Sequence, residues 1–325
     1  MFSINLLDYL RCPTHHARLS LFDEALICPR DGELFPLRSG YVELVPRASF
    51  EHTTLYNDDQ GGQILDYREI GPPLLSAKIK NDLLNEFLHP AQGDVVLDLG
   101  CGNGKFAYWN RGKVKCLLAL DLAPWFADKV LAEVPLIRGD MRVLPFDDAT
   151  FDKIYSVDVL EHLTTDDIAS VLDEAHRVLS SPDPTTGKPG GRFFIFSNTR
   201  ERQTLWWLMA PQKALTNFLQ ARGLIDFRRD DWRKSDHVKA VATYEQLRET
   251  LAAHGFTVRR VVFWNGVFQG WIENVVMKLG ESWLSRGARG KDALERQIAA
   301  RRQVRANLNS KPRRHYALLL KLMTA

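Results

Sequence analysis

Short runs of apolar residues alternate with amphipathic stretches from about residue 76 onward. The runs lie at residues 95–99, 116–120, 153–157, 193–196 and 258–263. Short, mainly apolar runs of this length are typical of strands that are buried on both faces of a parallel sheet. Residues 164–179 and 243–254 have the spacing of amphipathic helices. This alternation predicts an α/β fold with a Rossmann-like, doubly wound sheet.

The rest of the chain departs from that rhythm. Residues 1–46 hold short strand candidates cut by turn residues, which predicts a small N-terminal β ribbon module. Residues 47–75 are polar and predict a linker or lid. Residues 76–325 then form the α/β domain, and its aromatic, charged stretch at about 200–235 predicts an inserted helical cap.

Composition excludes several classes of protein. The chain has 325 residues, of which 45% are hydrophobic and 26% charged, so it is neither disordered nor fibrous. It has four cysteines, no secretory leader pattern and no apolar run long enough to span a bilayer, which predicts a cytoplasmic protein. The pattern gives no indication of oligomeric state.

Positive charge is concentrated at the end of the chain. The net charge is only +3, yet residues 286–325 carry eleven Lys and Arg against two acidic residues. Such a segment can contact the phosphates of RNA or an anionic membrane surface. It can equally be the solvated face of a helix, and both interpretations stay open.

A glycine-rich turn follows the first apolar run. Asp98 precedes Gly100, Gly102 and Gly104, and Asp121 ends the next apolar run. Glycines let the backbone approach a ligand, and the following helix presents free N–H groups. A dinucleotide loop would read G-x-G-x-x-G, whereas this one reads G-x-G-x-G. The acid ahead of it suits an ammonium group better than a pyrophosphate.

Two further acids follow later apolar runs. Asp140 and Met141 can accept the amino group of an adenine and pack on its ring. Asp158 and Val159 then lead into a loop that ends at His162. With these four motifs in order, residues 76–265 resemble the class I S-adenosylmethionine-dependent methyltransferases.

The resemblance implies a seven-stranded sheet whose last, antiparallel strand would lie at residues 315–322. It also implies S-adenosyl-L-methionine as cofactor, with the glycine loop around its methionine part. Asp121 and Leu122 would hold the ribose and the edge of the adenine, and Asp158 and Val159 would lie beside the sulfonium. The implied cofactor-binding residues are Asp98, Gly100, Cys101, Gly102, Gly104, Asp121, Leu122, Asp140, Met141, Asp158 and Val159.

Transfer to a hydroxyl needs a base near neutral pH. His162 is the first candidate, and Glu161 either serves instead or orients it. The alternative is that His162 caps or packs beneath the next helix. His237 is a weaker candidate.

The ribbon carries two similar turns, Cys12-Pro13-Thr14-His15 and Cys28-Pro29-Arg30-Asp31. It resembles the zinc ribbons that act as methyltransferase activators and the ribbon of bacterial ribosomal-RNA guanine methyltransferases. The resemblance implies a zinc ion held by Cys12, His15 (or His16), Cys28 and Asp31. Because a full site would hold mostly cysteines, a ribbon that kept its fold without the metal is the alternative.

These features predict a methyltransferase acting on a small-molecule or lipid-like acceptor at oxygen, with the aromatic insertion as an apolar wall. The ribbon and the basic end favour an RNA base methyltransferase as the alternative. A non-catalytic binding module with the same sheet is a third interpretation, of a different class.

Overall fold

The computed structural model describes residues 4–46, 69–182, 184–185, 187, 189–198, 206–233, 237–238, 240–263, 270–284, 299 and 303. The chain divides into two compact units. The first comprises residues 1–73, 80–201 and 236–261, and the second comprises residues 74–79, 202–235 and 262–325.

The first unit is built on one mixed sheet. In the described part of the chain it has nine strands, in the order β1-β2-β3-β4-β7-β6-β5-β8-β9. From β4 to β9 neighbouring strands are parallel, and β1 to β4 form antiparallel pairs. The strands are β1 Ser20–Phe22, β2 Ala25–Ile27, β3 Leu34–Arg38, β4 Tyr41–Leu44, β5 Val95–Leu99, β6 Cys116–Asp121, β7 Leu136–Gly139, β8 Lys153–Val157 and β9 Arg192–Phe196.

Helices connect these strands and continue beyond them. The α-helices are Ile4–Tyr9, Leu75–Leu88, Lys105–Asn110, Asp128–Glu133, Thr165–Val178, Ala210–Ala221, Arg228–Arg233, Tyr244–Ala253 and Met277–Leu284. Short 3-10 turns lie at Arg111–Lys113, Leu160–His162 and Trp206–Met209, and a π-helical turn at Ile272–Val276 precedes the last helix. No described helix is both long and apolar enough to cross a bilayer.

The predicted Rossmann-like α/β fold is confirmed. Strands β5 and β8 have the predicted bounds, and every residue of β5 is buried because helices cover the parallel sheet on both faces. The helix Thr165–Val178 begins as predicted, since Thr164 caps it in a reciprocal capping box with Asp167. Its apolar stripe is buried.

One expectation about the sheet is not met in the described part of the chain, and a second cannot be compared with it. Residues 258–263 form no strand there, and Val261, Val262 and Phe263 are exposed. An apolar run without a sheet neighbour does not become a buried strand, so the prediction from sequence was wrong here. The implied final strand at residues 315–322 lies outside the described residues.

The N-terminal ribbon extends the sheet. Strand β4 pairs in parallel with β7, with Tyr41 opposite Leu136 and Leu44 opposite Gly139. Cys12, Cys28 and Phe35 belong to the same buried cluster as residues of β5 and β6. The described sheet therefore has nine strands where the resemblance implied seven. The boundary at residue 46 stays a prediction, and residues 47–68 of the predicted linker or lid lie outside the described residues.

The insertion at about 200–235 is helical where it is described. Met209 precedes the helix Ala210–Ala221, which carries Pro211 in its first turn, where a missing N–H has no cost. Leu219 and Ile225 form a small buried cluster with Val275 within the second unit. The predicted helices are present, and the role of cap stays a prediction.

Candidate active site

The glycine turn forms between β5 and the helix Lys105–Asn110, at the carboxyl end of the parallel strands. Gly100 and Cys101 donate their N–H groups to the carbonyl of Leu120, at 2.9 and 3.0 Å. Gly100, Gly102 and Gly104 have φ values of 78°, 57° and 78°. Only glycine adopts this left-handed backbone without a steric penalty, so the local sequence dictates the bend.

The three glycines differ in what surrounds them. A Cβ on Gly100 would lie 2.5 Å from Val159 and 3.1 Å from Met141, and one on Gly104 would lie 2.5 Å from Val130. A Cβ on Gly102 would meet no atom within 4 Å. The outer glycines therefore allow close packing, while the middle one borders open space. Gly100, Met141 and Val159, all predicted to bind the cofactor, are brought together.

Asp98 has an unusual environment for a carboxylate. It is 2% exposed, and its Oδ2 has no hydrogen-bond partner in the described structure. Burial raises the pKa of Asp98 to about 8, and the Asp121 carboxylate adds to the rise. The hydroxyl of Tyr155, opposite Asp98 on the neighbouring strand β8, interacts with this carboxylate and opposes the rise in its pKa. A buried carboxylate oxygen without a partner at normal hydrogen-bond distance is uncommon in folded proteins and is expected where a ligand binds.

Asp121 ends β6 with its carboxylate held by the backbone. It accepts hydrogen bonds from the N–H groups of Gly102 at 2.6 Å and Ala123 at 2.8 Å. Burial raises its pKa, and these bonds oppose the rise. Each oxygen keeps a second lone pair, so the carboxylate can still accept the hydroxyls of a ribose. The next residue, Leu122, accepts a hydrogen bond at its carbonyl from Arg138.

Asp140 is already engaged with a cation. The Arg142 guanidinium donates to both its oxygens, with Nη2 2.7 Å from Oδ2, and also contacts Asp167 at 2.9 Å. Sequence reasoning missed Arg142, although its position two residues after Asp140 offered the signal. An adenine amino group would have to share this carboxylate with the guanidinium.

Asp158 follows β8 with a φ of 59°, a left-handed conformation that is uncommon for aspartate. Its Oδ2 forms an ion pair with Lys80 Nζ, and its Oδ1 is buried without a partner. Lys80 lies on the helix Leu75–Leu88, and its Nζ is 4.6 Å from the centre of the Phe196 ring. Sequence reasoning missed Lys80, because nothing local marks a pair so far apart in the chain.

The two candidate bases differ in their surroundings. Glu161 is buried, and its oxygens accept hydrogen bonds from Ser197 and Asn198, both at 2.9 Å. His162 is half-buried, and its ring meets that of His237 edge to face at 4.5 Å between centres. The two histidines singled out from sequence are thus in contact, while Glu161 has both oxygens occupied.

Cys101 is buried beside the two acids, and burial raises the pKa of its thiol. It therefore stays protonated at neutral pH and is a poor nucleophile. Its contribution to the site is its backbone N–H within the bend.

The ribbon residues predicted to bind metal converge. His15 Nδ1 lies 3.7 Å from Cys12 Sγ, 3.6 Å from Cys28 Sγ and 3.6 Å from an oxygen of Asp31. The ligand atoms of Cys12, His15 and Cys28 all lie within 4.8 Å of one another. Ligands around tetrahedral zinc are about 3.5 Å apart, so this donor set fits a zinc ion.

Equivalent backbone bonds build the two turns that begin at Cys12 and Cys28. Cys12 and Cys28 each accept, at the carbonyl, from the residue four positions later and donate to the carbonyl five positions later, at 2.8 to 2.9 Å. The sequence resemblance between the two turns therefore has a structural counterpart. His16 has a φ of 50°, which fits its place in the tight turn, while His15 supplies the converging nitrogen.

Comparison with known proteins adds to this geometry. Residues 97–195 match a family described as "Methyltransferase domain". The chain is 29% identical over 172 residues to malonyl-(acyl-carrier protein) O-methyltransferase of Serratia marcescens, which spans 51% of this chain and 54% of that protein. It is 27% identical over 176 residues to sterol 24-C-methyltransferase of Eremothecium gossypii. This match covers 51% of this chain and 41% of that protein. The chain covers about half the length of the curated relatives it matches.

A similar fold occurs in phosphoethanolamine N-methyltransferase 2 of Haemonchus contortus, solved with phosphomonomethylethanolamine and S-adenosylhomocysteine. The TM-score is 0.50 at 18% identity, covering 83% of this chain and 57% of that one. At this identity the likeness shows the fold alone. Over residues 97–195 the chain is thus similar to a methyltransferase domain, and the curated relatives named above are methyltransferases.

Proposed function

We propose that this protein transfers a methyl group from S-adenosylmethionine to a small-molecule or lipid-like acceptor, at oxygen. One observation carries the proposal: the buried, unpartnered Oδ2 of Asp98 accompanies a glycine bend with open space at Gly102. A ligand with an ammonium group would supply the missing hydrogen bond and stabilise the ionised carboxylate.

The residues of the bend fit the separate parts of that ligand. Asp98 and the glycine loop would hold the methionine part, and Asp121 would accept the ribose hydroxyls. Met141 and Val159 are proposed to line the adenine and the sulfonium, since both pack against Gly100. Asp140 would bind the adenine amino group only beside its existing contact with Arg142. Leu122 and Cys101 would contribute through the backbone.

When bound, S-adenosylmethionine supplies a methyl group on a positively charged sulfur. The chain then has to align the acceptor with that methyl group and exclude water, a contribution of ~7–11 kcal/mol in well-oriented reactions. We propose His162 as the base that takes the proton of an acceptor hydroxyl, with His237 against its ring. Glu161, whose oxygens bind Ser197 and Asn198, would orient the turn that carries His162.

The proposed acceptor class follows from the relatives and from the insertion. The relatives named above act on a malonyl-acyl carrier and on a sterol, as their names state. Trp207, Leu208 and Phe218 on the helical insertion are exposed, so the insertion itself offers apolar surface. An RNA base is the second candidate, favoured by the ribbon and by the positive charge of residues 286–325. Of those residues only 299 and 303 are described.

We propose a structural zinc ion in the ribbon, held by Cys12, His15, Cys28 and Asp31. The convergence of Cys12, His15 and Cys28 supports three of these ligands. An oxygen of Asp31 lies 3.6 Å from His15 Nδ1 and would be the fourth, although a carboxylate is less common than a thiolate in such sites. Zinc content of the purified protein tests this, with Cys12→Ser as control. About one zinc per chain in the wild type, lost in the variant, is expected, and none in the wild type would contradict it.

Two experiments test the main proposal. Calorimetry with S-adenosylhomocysteine should give one site per chain, weakened in Asp98→Asn, and no binding would leave only the non-catalytic interpretation. Incubation with isotopically labelled methyl donor and fractionated cell extract should then label small molecules or lipids. Label in RNA instead, with salt-sensitive RNA binding lost on neutralising Arg301, Arg302 and Arg305, would favour the RNA base methyltransferase.

A further inference from the structure

The ion pair between Lys80 and Asp158 lies next to Val159, which packs against the glycine bend. The Lys80 side chain is 14% exposed and that of Asp158 32%. Asp158 donates its N–H to the carbonyl of Phe196 at 2.8 Å, which fixes the end of β8 beside the end of β9. Lys80 lies over the ring of the same Phe196. The ammonium is thus held by a ring and a carboxylate together.

The lysine uses only one of the two carboxylate oxygens. Oδ2 receives the ammonium, while Oδ1 is buried and has no hydrogen-bond partner in the described structure. Leaving a buried charged acceptor unpaired is costly, and so is the left-handed backbone at Asp158. Two unfavourable features at one residue point to a ligand that compensates for them. Because the final torsion of an aspartate is soft, a rotation presents Oδ1 to a ligand.

A carboxylate oxygen can only accept a hydrogen bond, so the ligand group that meets Oδ1 must donate one. Asp98 already offers a second unpartnered oxygen on β5 for the ammonium of the cofactor. Asp158 lies after a different strand, in the loop whose Val159 packs against Gly100. The two acids can therefore serve two different ligand groups.

We propose that Lys80 is a positioning residue that fixes the Asp158 carboxylate in place, so that Oδ1 accepts a hydrogen bond from the reacting group of the methyl acceptor. The acceptor is then one whose reacting group carries a proton, as a hydroxyl does. The hydroxyl donates its hydrogen bond to Oδ1 on binding, and His162 takes the same proton as the methyl–oxygen bond forms and the methyl–sulfur bond breaks. A carboxylate acceptor is disfavoured, because its charge would oppose that of Asp158 while the charge of Lys80 is already compensated. This inference rests on the proposed function.

Binding of two cofactor analogues tests it without knowledge of the acceptor. S-adenosylhomocysteine lacks the methyl group, whereas sinefungin has a carbon bearing an amino group in place of the methylated sulfur. Its ammonium points where the methyl group would lie and can donate to Oδ1. Calorimetry should show that the wild type binds sinefungin at least about tenfold more tightly than S-adenosylhomocysteine, as expected for a charge-assisted hydrogen bond.

Variants at the two residues distinguish the hydrogen bond accepted by Asp158 from the positioning supplied by Lys80. Asp158→Asn and Lys80→Met should reduce the preference for sinefungin to about threefold or less, with affinity for S-adenosylhomocysteine nearly unchanged. Lys80→Arg should restore most of the preference. Lys153→Met is the matched control, because Lys153 forms a comparable ion pair with Asp94 at the opposite end of β8. It should retain the wild-type preference.

Several results would overturn the inference. These are equal wild-type affinity for the two analogues, equal weakening of both in Asp158→Asn, or a preference that survives in Lys80→Met. If neither analogue binds the wild type, the proposed function fails instead. Labelled products give a second arm: methyl esters of carboxylates release methanol in mild alkali, while methyl ethers do not. Alkali-stable label is expected, and mainly alkali-labile label contradicts the proposal.

Discussion

The two ends of the parallel strands β5 and β8 use the same kinds of residue in opposite ways. At the amino-terminal end, Lys153 pairs with Asp94 and donates to the carbonyl of His89 at 2.8 Å. Asp152 accepts from the N–H of Val95 at 2.9 Å. At the carboxyl end, Asp98 and Asp158 each keep a buried oxygen without a partner.

This contrast separates stability from function within one sheet. Polar groups that are fully hydrogen-bonded contribute to stability, whereas unpartnered ones reduce it until a ligand binds. Parallel strands bring their carboxyl ends to one edge, where ligands bind in open α/β sheets. The acids at that edge are therefore expected to affect ligand binding, Asp98 that of S-adenosylhomocysteine and Asp158 that of sinefungin, and those at the other edge to affect only unfolding. The following changes test this difference, from the largest effect to the smallest.

Gly100→Ala should have the largest effect. Its Cβ would lie 2.5 Å from Val159 in a left-handed backbone, so we expect the free energy of unfolding to fall by about 2–5 kcal/mol. Gly102→Ala should cost about 1–2 kcal/mol of stability, because its surroundings are open. It should instead weaken S-adenosylhomocysteine binding at least about tenfold, since the Cβ would fill the ligand's space.

Chemical denaturation and calorimetry measure both effects. Gly223→Ala is the matched control, because Gly223 has a φ of 66° and open surroundings in the second unit. It should lower the free energy of unfolding by a similar amount without weakening S-adenosylhomocysteine binding. Unchanged affinity in Gly102→Ala would contradict the binding bend.

Lys153→Met should destabilise the protein by about 2–3 kcal/mol, because it leaves the carboxylate of Asp94 largely buried without its cation. Affinity for S-adenosylhomocysteine should stay within about twofold of the wild type, since the proposed cofactor site lies at the other end of these strands. Denaturant unfolding and calorimetry on the same samples give both values. A large loss of affinity would remove the distinction between the two ends.

Asp98→Asn should alter the pH dependence of binding. With a pKa of about 8, Asp98 is mostly protonated in the empty site at neutral pH, and an ammonium ligand favours its ionised form. Wild-type affinity for S-adenosylhomocysteine should therefore rise from pH 6 to about 8, by up to about tenfold per unit, while the variant stays flat. Calorimetry across this range measures it, and parallel curves would contradict the assignment.

The empty protein should show the opposite trend in stability. The folded state keeps the Asp98 proton up to a pKa of about 8, whereas the unfolded state loses it near the ordinary value of 3.8. The unfolding free energy contributed by this group therefore falls between these two pH values and levels off above them. Asp98→Asn should remove that slope from a plot of melting temperature against pH.

Thr164→Ala should have the smallest effect, about 1 kcal/mol, because it removes the cap of the helix that follows the Asp158 loop. Thr243→Ala is its counterpart, since Thr243 caps the helix Tyr244–Ala253 in the same way. Both should lower the melting temperature slightly and leave affinity unchanged. A tenfold loss of affinity in Thr164→Ala alone would show that the loop depends on this helix start.

Sequence patterns predicted the local features well. The bounds of β5 and β8, the Thr164 cap and the convergence of Cys12, His15 and Cys28 all follow from residues close in the chain or from repeated turns. The contact of Lys80 with Asp158 and the parallel pairing of β4 with β7 depend on distant segments meeting. The strand predicted at residues 258–263 was wrong for the same reason, because an apolar run cannot show whether a neighbouring strand is present.

The union of β4 with β7 has a consequence for how the molecule is made. Tyr41 cannot pair with Leu136 until translation has passed residue 139. Strand β4 therefore lacks its parallel neighbour β7 while the intervening segment is synthesised. Loop closure over that distance is slow, and an unpaired strand edge invites association with other chains in the meantime. Zinc bound by the ribbon would offset this delay by ordering its two turns before their neighbour emerges from the ribosome.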